Sequence, residues 1–209
     1  MAGPVLFTLD WWLLGWSHHG FQWRTETISS LTAHNAPAWP VMSVGQVALT
    51  AAFLAVGALT VLALGWRRGA AMVVFLVLAA LGTIQLTVFR TICNHTDTGW
   101  CQKQPRSAYG HEQWLHGIGT GIAFAALQLA VLACAVTTWT VPGLGSLARA
   151  SVAAEVVALP FTLWFLANAY TTWHGFTEKV FLTTLAAWTA YAGVRLAAVA
   201  ERVAVPTST

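Results

Sequence analysis

The chain has 209 residues, 57% of them hydrophobic and only 8% charged, with a formal net charge of +3. Soluble domains carry about a quarter charged residues, so the composition excludes an ordinary soluble domain and predicts one all-α polytopic transmembrane bundle over residues 1–209. The ten Lys and Arg stand singly or as Arg67-Arg68 near the ends of apolar runs, where they anchor helix ends. They form no basic stripe, and no nucleic-acid partner is expected.

Six segments are predicted, over residues 4–17, 39–65, 70–89, 113–139, 151–170 and 180–200. The first is short against the roughly 20 residues that a span needs and carries Asp10; it either crosses a thinned bilayer or lies in the interface. It has no basic leader and no small-residue cleavage pattern, so it is expected to stay in the mature protein. The stretch that follows holds Trp23 and Trp39, which suit a membrane-surface belt, while Thr25 to Ser30 cap a short helix and Pro37 and Pro40 announce the second segment. Segments two and three are joined so tightly at Trp66-Arg67-Arg68 that they must form an antiparallel hairpin. Pro142, Gly143 and Gly145 break the chain after segment four. Pro160 predicts a kink in segment five.

Six crossings place both termini on one side of the cell membrane, with the loops after segments one, three and five opposite. The Lys and Arg divide five against five between the two sides and cannot orient the chain. Cys93 and Cys101, close together in one polar loop, could close a disulfide, which would put that loop outside the cytoplasm and the termini inside. Cys134, alone in an apolar segment, reads as a buried thiol.

Any chemistry is expected in the polar interruption from Phe89 to Gly121, which holds two of the three cysteines and three of the seven histidines. On the expected topology all seven histidines lie toward the outer side. Glu112 and His116 are four residues apart and share a helix face, where a carboxylate can fix an imidazole's tautomer for acid–base work. Asp97, His111 and His34 would support them. The same residues are also what a polar helix end needs to satisfy its free backbone groups. A metal reading gathers His95, His111 and His116, with His18 or His19, around copper or zinc, although the spacing matches no zinc motif. Arg90, Arg24 and Arg106 form either a cationic patch for a phosphate or carboxylate headgroup or simple helix-end anchors, and Glu26 could neutralise one of them. Trp12, Trp114 and Trp173, with Trp11 and Trp16, either line a pocket or join the aromatic belt. Glu155, Gln85, Gln128 and Asn168 are the polar intramembrane positions; Glu155 is expected to snorkel toward the nearer end.

Three stretches, TETISSLTAHNAP after the first segment, LHGIGTGIAFAAL in the fourth and HGFTEKVFLTTLAAWTAYAGVRL in the sixth, resemble the bacterial six-helix membrane family named domain of unknown function 998. The resemblance covers most of the chain from Thr25 to Leu196. It implies a helical bundle with the Ile28–Leu31 stretch and His116 on one face, and it carries no activity. The short first segment and the histidine-bearing Cys93–Cys101 loop depart from the usual pattern and suggest a specialised member.

The leading expectation is an integral membrane enzyme acting on a lipid or isoprenoid-like substrate by acid–base chemistry of an isomerase or cyclase type. Glu112 and His116, with His111, Asp97 and His34, would be catalytic, and Arg90, Arg24, Trp114, Trp173 and Trp12 would bind an apolar or amphipathic molecule; no cofactor is required. The alternatives are a copper- or zinc-binding membrane protein and a non-catalytic accessory subunit or lipid-binding membrane protein, whose outer loops would dock a membrane protein partner. No phosphate-cradling glycine loop, serine elbow or HExxH is present, which disfavours nucleotide hydrolysis, esterase and zincin chemistry.

Overall fold

The computed structural model of the chain describes residues 2–17, 21–91, 106–167 and 173–204, the side chains of 106–109 and 204 excepted. Among these residues there are six α-helices and one 3-10 helix, without a strand. They are α1 Gly3–Ser17, the 3-10 helix Ile28–Thr32, α2 Trp39–Leu64, α3 Trp66–Val88, α4 Arg106–Thr138, α5 Gly145–Ala167 and α6 His174–Ala204. The last five are long and apolar enough to cross a membrane, so the all-α polytopic bundle expected from composition is what the chain forms. The 15 residues of α1 make about 22 Å of helix at 1.5 Å per residue, less than the roughly 30 Å of a hydrocarbon core.

Helix boundaries follow the breakers more closely than the polarity. Pro40 sits in the first turn of α2, where its missing N–H costs no intrahelical bond. At the other end Gly65, with φ 75°, reverses the chain in one residue, and Trp66-Arg67-Arg68 therefore open α3 instead of forming a turn. Gly143, with φ 82°, lies in the longer turn of residues 139–144 ahead of α5. Helix α4 starts at Arg106 and α6 at His174, each further back than hydropathy suggests. The 33 residues of α4 make about 50 Å of helix, so its polar first turns outreach the hydrocarbon core.

The five long helices close a ring, with α2 on α3, α3 on α4, α4 on α5, α5 on α6 and α6 back on α2. In lipid, helices associate by close packing and hydrogen bonds, because lipid tails are as apolar as leucine. The α3–α4 crossing relies on this: a Cβ at Gly82 would stand 2.7 Å from the Ala123 amide nitrogen and 2.9 Å from the Gly119 carbonyl oxygen. Gln85 extends the seam by donating from Nε2 to the Leu115 carbonyl at 2.9 Å. Helix α1 packs against both α2 and α6; its Gly3 meets the Ala48 backbone while Gly45 of α2 meets Phe7 and Asp10, so the two helices run antiparallel.

Aromatic rings fill the middle, with Phe181 of α6 edge-on to Phe124 of α4 at 4.7 Å and to Phe165 of α5 at 5.5 Å. A cavity of about 50 Å³ remains between Leu49, Phe53, Thr83, Phe124 and Glu178. Glu155 does not snorkel. It is buried, and with the Gln128 amide turned to face it, Gln128 donates to both carboxylate oxygens at 2.9 and 2.6 Å and accepts from Thr162 Oγ1 at 2.7 Å.

Candidate functional site

The tight α3–α4 crossing brings the C-terminal end of α3 beside the early turns of α4, and the segment after the 3-10 helix lies across both. Backbone and hydroxyl bonds fix this arrangement. The His34 amide donates to the Thr91 carbonyl at 3.1 Å, and Thr91 Oγ1 donates to the Ser29 carbonyl at 3.0 Å.

On this frame three side chains line up. Arg90 Nη2 lies 3.0 Å from His34 Nδ1, and His34 Nε2 lies 3.0 Å from Glu112 Oε1. A guanidinium has donors only, so Nδ1 must accept and the proton of the neutral imidazole sits on Nε2, donated to Glu112. The ring is thus held between a cation and a carboxylate in one tautomer. Arg90 also stacks on Trp39, with Cζ 4.3 Å from the ring centroid, and its Nη1 is buried with no hydrogen-bond partner among the described residues. A buried unpaired charged donor is costly, which makes Nη1 a place for an acceptor oxygen.

His116 lies beneath the triad. It is buried, and its Nδ1 donates to the Phe89 carbonyl at 2.7 Å, which leaves the lone pair on Nε2. Glu112 and His116 share a face of α4 as their spacing requires, yet each has a different partner, and the carboxylate's imidazole is His34. His111 points away, exposed and stacked on the exposed Trp114 at 6.1 Å. The arginines also separate: Arg24 stacks on Trp173 at 4.9 Å, and neither it nor Arg90 is paired with Glu26. Trp12 is exposed, edge-on to Trp16 at 6.1 Å. Trp16 in turn stands 5.8 Å from Trp23. Asp97, His95, His18, His19, Asn168 and the cysteine pair Cys93 and Cys101 lie outside the described residues, as does the side chain of Arg106. Among the described residues, no three His, Cys, Asp or Glu side chains gather as metal ligands.

A second polar cluster binds the 21–32 segment to α6. Lys179 Nζ donates to the carbonyls of Trp23 at 3.2 Å, Glu26 at 2.5 Å and Gly175 at 3.1 Å, which uses all three ammonium protons. The Glu178 carboxylate accepts from the Ile28 amide and so caps the 3-10 helix, where negative charge suits the free N–H groups. Gly175 makes room, since any Cβ there would collide with the Glu26 backbone. Glu26 itself is buried, with Ser30 Oγ 3.4 Å from its carboxylate. Burial pushes its carboxyl up to about 7, against the opposing effects of the Ser30 hydroxyl, the Lys179 charge and the Gln22 backbone. Composition and spacing gave no sign of this cluster, whose partners Ile28 and Glu178 are 150 residues apart. Such signal as the sequence holds lies in the motifs: TETISSLTAHNAP, LHGIGTG and HGFTEK all meet at this end of the bundle.

Fold and site together define a multi-pass helical membrane protein whose polar residues concentrate at one end of the bundle. Its family is known by sequence: the chain belongs to the family described as protein of unknown function DUF998, whose profile matches residues 1–195. No curated protein and no solved structure matches the chain.

Proposed function

We propose that the protein is an integral membrane enzyme acting by acid–base chemistry on an apolar or amphipathic substrate of lipid or isoprenoid type. The observation that carries this reading is the Arg90–His34–Glu112 line. Arg90 and His34 set the orientation of Glu112, and Glu112 Oε2 takes part in no hydrogen bond among the described residues. A proton carried there can be given to an alkene carbon, forming a C–H bond and a carbocation. The carboxylate left behind then takes a proton from the neighbouring carbon, which moves the double bond without any oxidant or reductant. Arg90 Nη1 is the donor for an anionic headgroup, which would fix where the apolar chain lies relative to Glu112. His116 supports the site by tying α4 to the end of α3. The polar end is assigned to the extracytoplasmic side, with the end of α6 on the cytoplasmic side, on the expected pairing of Cys93 with Cys101.

Solvent deuterium tests the reading even while the substrate is unidentified. The protein, reconstituted with a total membrane lipid extract in heavy water, should transfer deuterium to carbon in one lipid species, read by high-resolution mass spectrometry. Glu112→Gln should lower that rate at least a hundredfold, the usual scale of general acid–base catalysis. Arg90→Gln should raise the lipid concentration needed about tenfold, as loss of a charged hydrogen bond predicts. Lipids that remain unlabelled, or a Glu112→Gln variant as active as wild type, would exclude the mechanism.

A further inference from the structure

A second feature of the polar end stands apart from the Glu112 site. Between α5 and the start of α6 an open groove of about 290 Å³ is lined by Pro160, Phe161, Trp164, Trp173, Phe176 and Thr177. Trp164, Trp173 and Phe176 are exposed, which on a membrane protein means that they face lipid or the interface. Pro160 lies seven residues before the end of α5, about 10 Å along the helix, so the groove descends from the interface into the hydrocarbon layer. At its upper edge the exposed Arg24 places its guanidinium 4.9 Å from the centroid of Trp173. The chain trace holds it there, because the Arg24 carbonyl accepts from the Phe176 amide at 3.0 Å.

We propose that this groove is a binding site for one anionic phospholipid of the surrounding bilayer. An acyl chain lies along Pro160, Phe161 and Trp164, and the phosphate meets Arg24 above Trp173. The charge matches, because a planar guanidinium presents paired donors that fit phosphate oxygens. The depth matches as well, since tryptophan rings settle at headgroup level and the apolar walls begin just below. The occupant is taken as a lipid and not a second protein chain, because the six described side chains that line the groove offer far less surface than the roughly 800 Å² per partner of a stable protein interface. The site is independent of the acid–base reading, since Arg24 and Trp173 share no hydrogen bond with Arg90, His34 or Glu112, and either proposal can fail alone.

Native mass spectrometry of the detergent-purified protein, titrated with phosphatidylglycerol and with phosphatidylcholine of the same acyl chains, tests the site. Wild type should bind the first phosphatidylglycerol about fivefold more tightly than phosphatidylcholine, the preference expected of one interfacial arginine. Arg24→Gln should remove that preference while leaving the unfolding temperature unchanged, since the side chain is exposed. Trp164→Ala with Phe176→Ala should weaken both lipids alike. Arg67→Gln with Arg68→Gln, at the opposite end of the bundle, should leave the preference intact. A preference that survives Arg24→Gln, or that is lost equally in the Arg67 and Arg68 variant, would overturn the proposal, as would a co-purified protein occupying this face in place of lipid.

Discussion

Replacing Lys179 with methionine keeps the length and the apolar stem but removes three hydrogen bonds from a charged donor. Each such bond contributes about 1.5 kcal/mol or more, a gross loss of about 4.5 kcal/mol. Methionine also spares the desolvation of a buried ammonium, which offsets part of that loss. Against this relief, the carbonyls of Trp23, Glu26 and Gly175 lose a partner, and Glu26 and Glu178 lose the cation that acts on both. The net expectation is destabilisation by about 3 kcal/mol, concentrated where the 21–32 segment meets α6. Two measurements separate local from global loss. Unfolding in mixed micelles with rising dodecyl sulfate, followed by tryptophan fluorescence, reports the whole bundle. Trypsin cleavage after Arg24 reports the segment, and should accelerate about a hundredfold if the 3 kcal/mol is local opening. Lys179→Met within about 0.5 kcal/mol of wild type, with cleavage at Arg24 unchanged, would refute the assignment of Lys179 as the clamp.

Gly82→Val should force apart the backbones of α3 and α4 and cost about 1–3 kcal/mol, the usual penalty for overpacking; an unchanged unfolding midpoint would mean that the crossing is looser than described. The Glu26 carboxyl, pushed up from the ordinary 4.5 to about 7 by burial, holds its proton more tightly folded than unfolded. Its contribution is therefore full below pH 4.5 and is lost as pH rises to about 7, at about 1.4 kcal/mol per unit. Glu26→Gln should flatten that slope in a thermal unfolding series, and an equal slope in both proteins would contradict the shift. Cys93 and Cys101 should resist a membrane-impermeant maleimide applied to the outside of intact cells until a reductant is added; labelling without reductant would exclude the disulfide.

The motif residues show how much of the site was legible. Glu112 and His116 were recognisable as a pair on one helix face because a 3.6-residue period is a local property. Their actual partners, His34 and the Phe89 carbonyl, depend on where α3 crosses α4, which Gly82 decides by permitting backbone contact and Gly119 by leaving room for the Gln85 side chain. In sequence Lys179 is one more helix-end cation. Its role depends on three carbonyls, two of them from a segment about 150 residues away in sequence, and no local pattern encodes such a contact. Glu155 is near the start of the segment expected from residue 151, but α5 begins at Gly145, which puts Glu155 ten residues inside the helix, where the packing of α4 places Gln128 over it.

Composition alone determined that this is an all-α bundle of membrane helices, because burying so much apolar side chain and satisfying every backbone group in lipid leaves helices as the solution for such a chain. Proline and glycine punctuation further fixed the break before α5, since those residues act through their own backbone angles, whereas the hairpin expected at Trp66-Arg67-Arg68 turns one residue earlier, at Gly65. What only the tertiary structure decided is which polar side chains meet. Hydrogen bonds between distant segments depend on ring closure and crossing geometry, so the Arg90–His34–Glu112 line and the Lys179 clamp exist only once the five long helices have closed around their core.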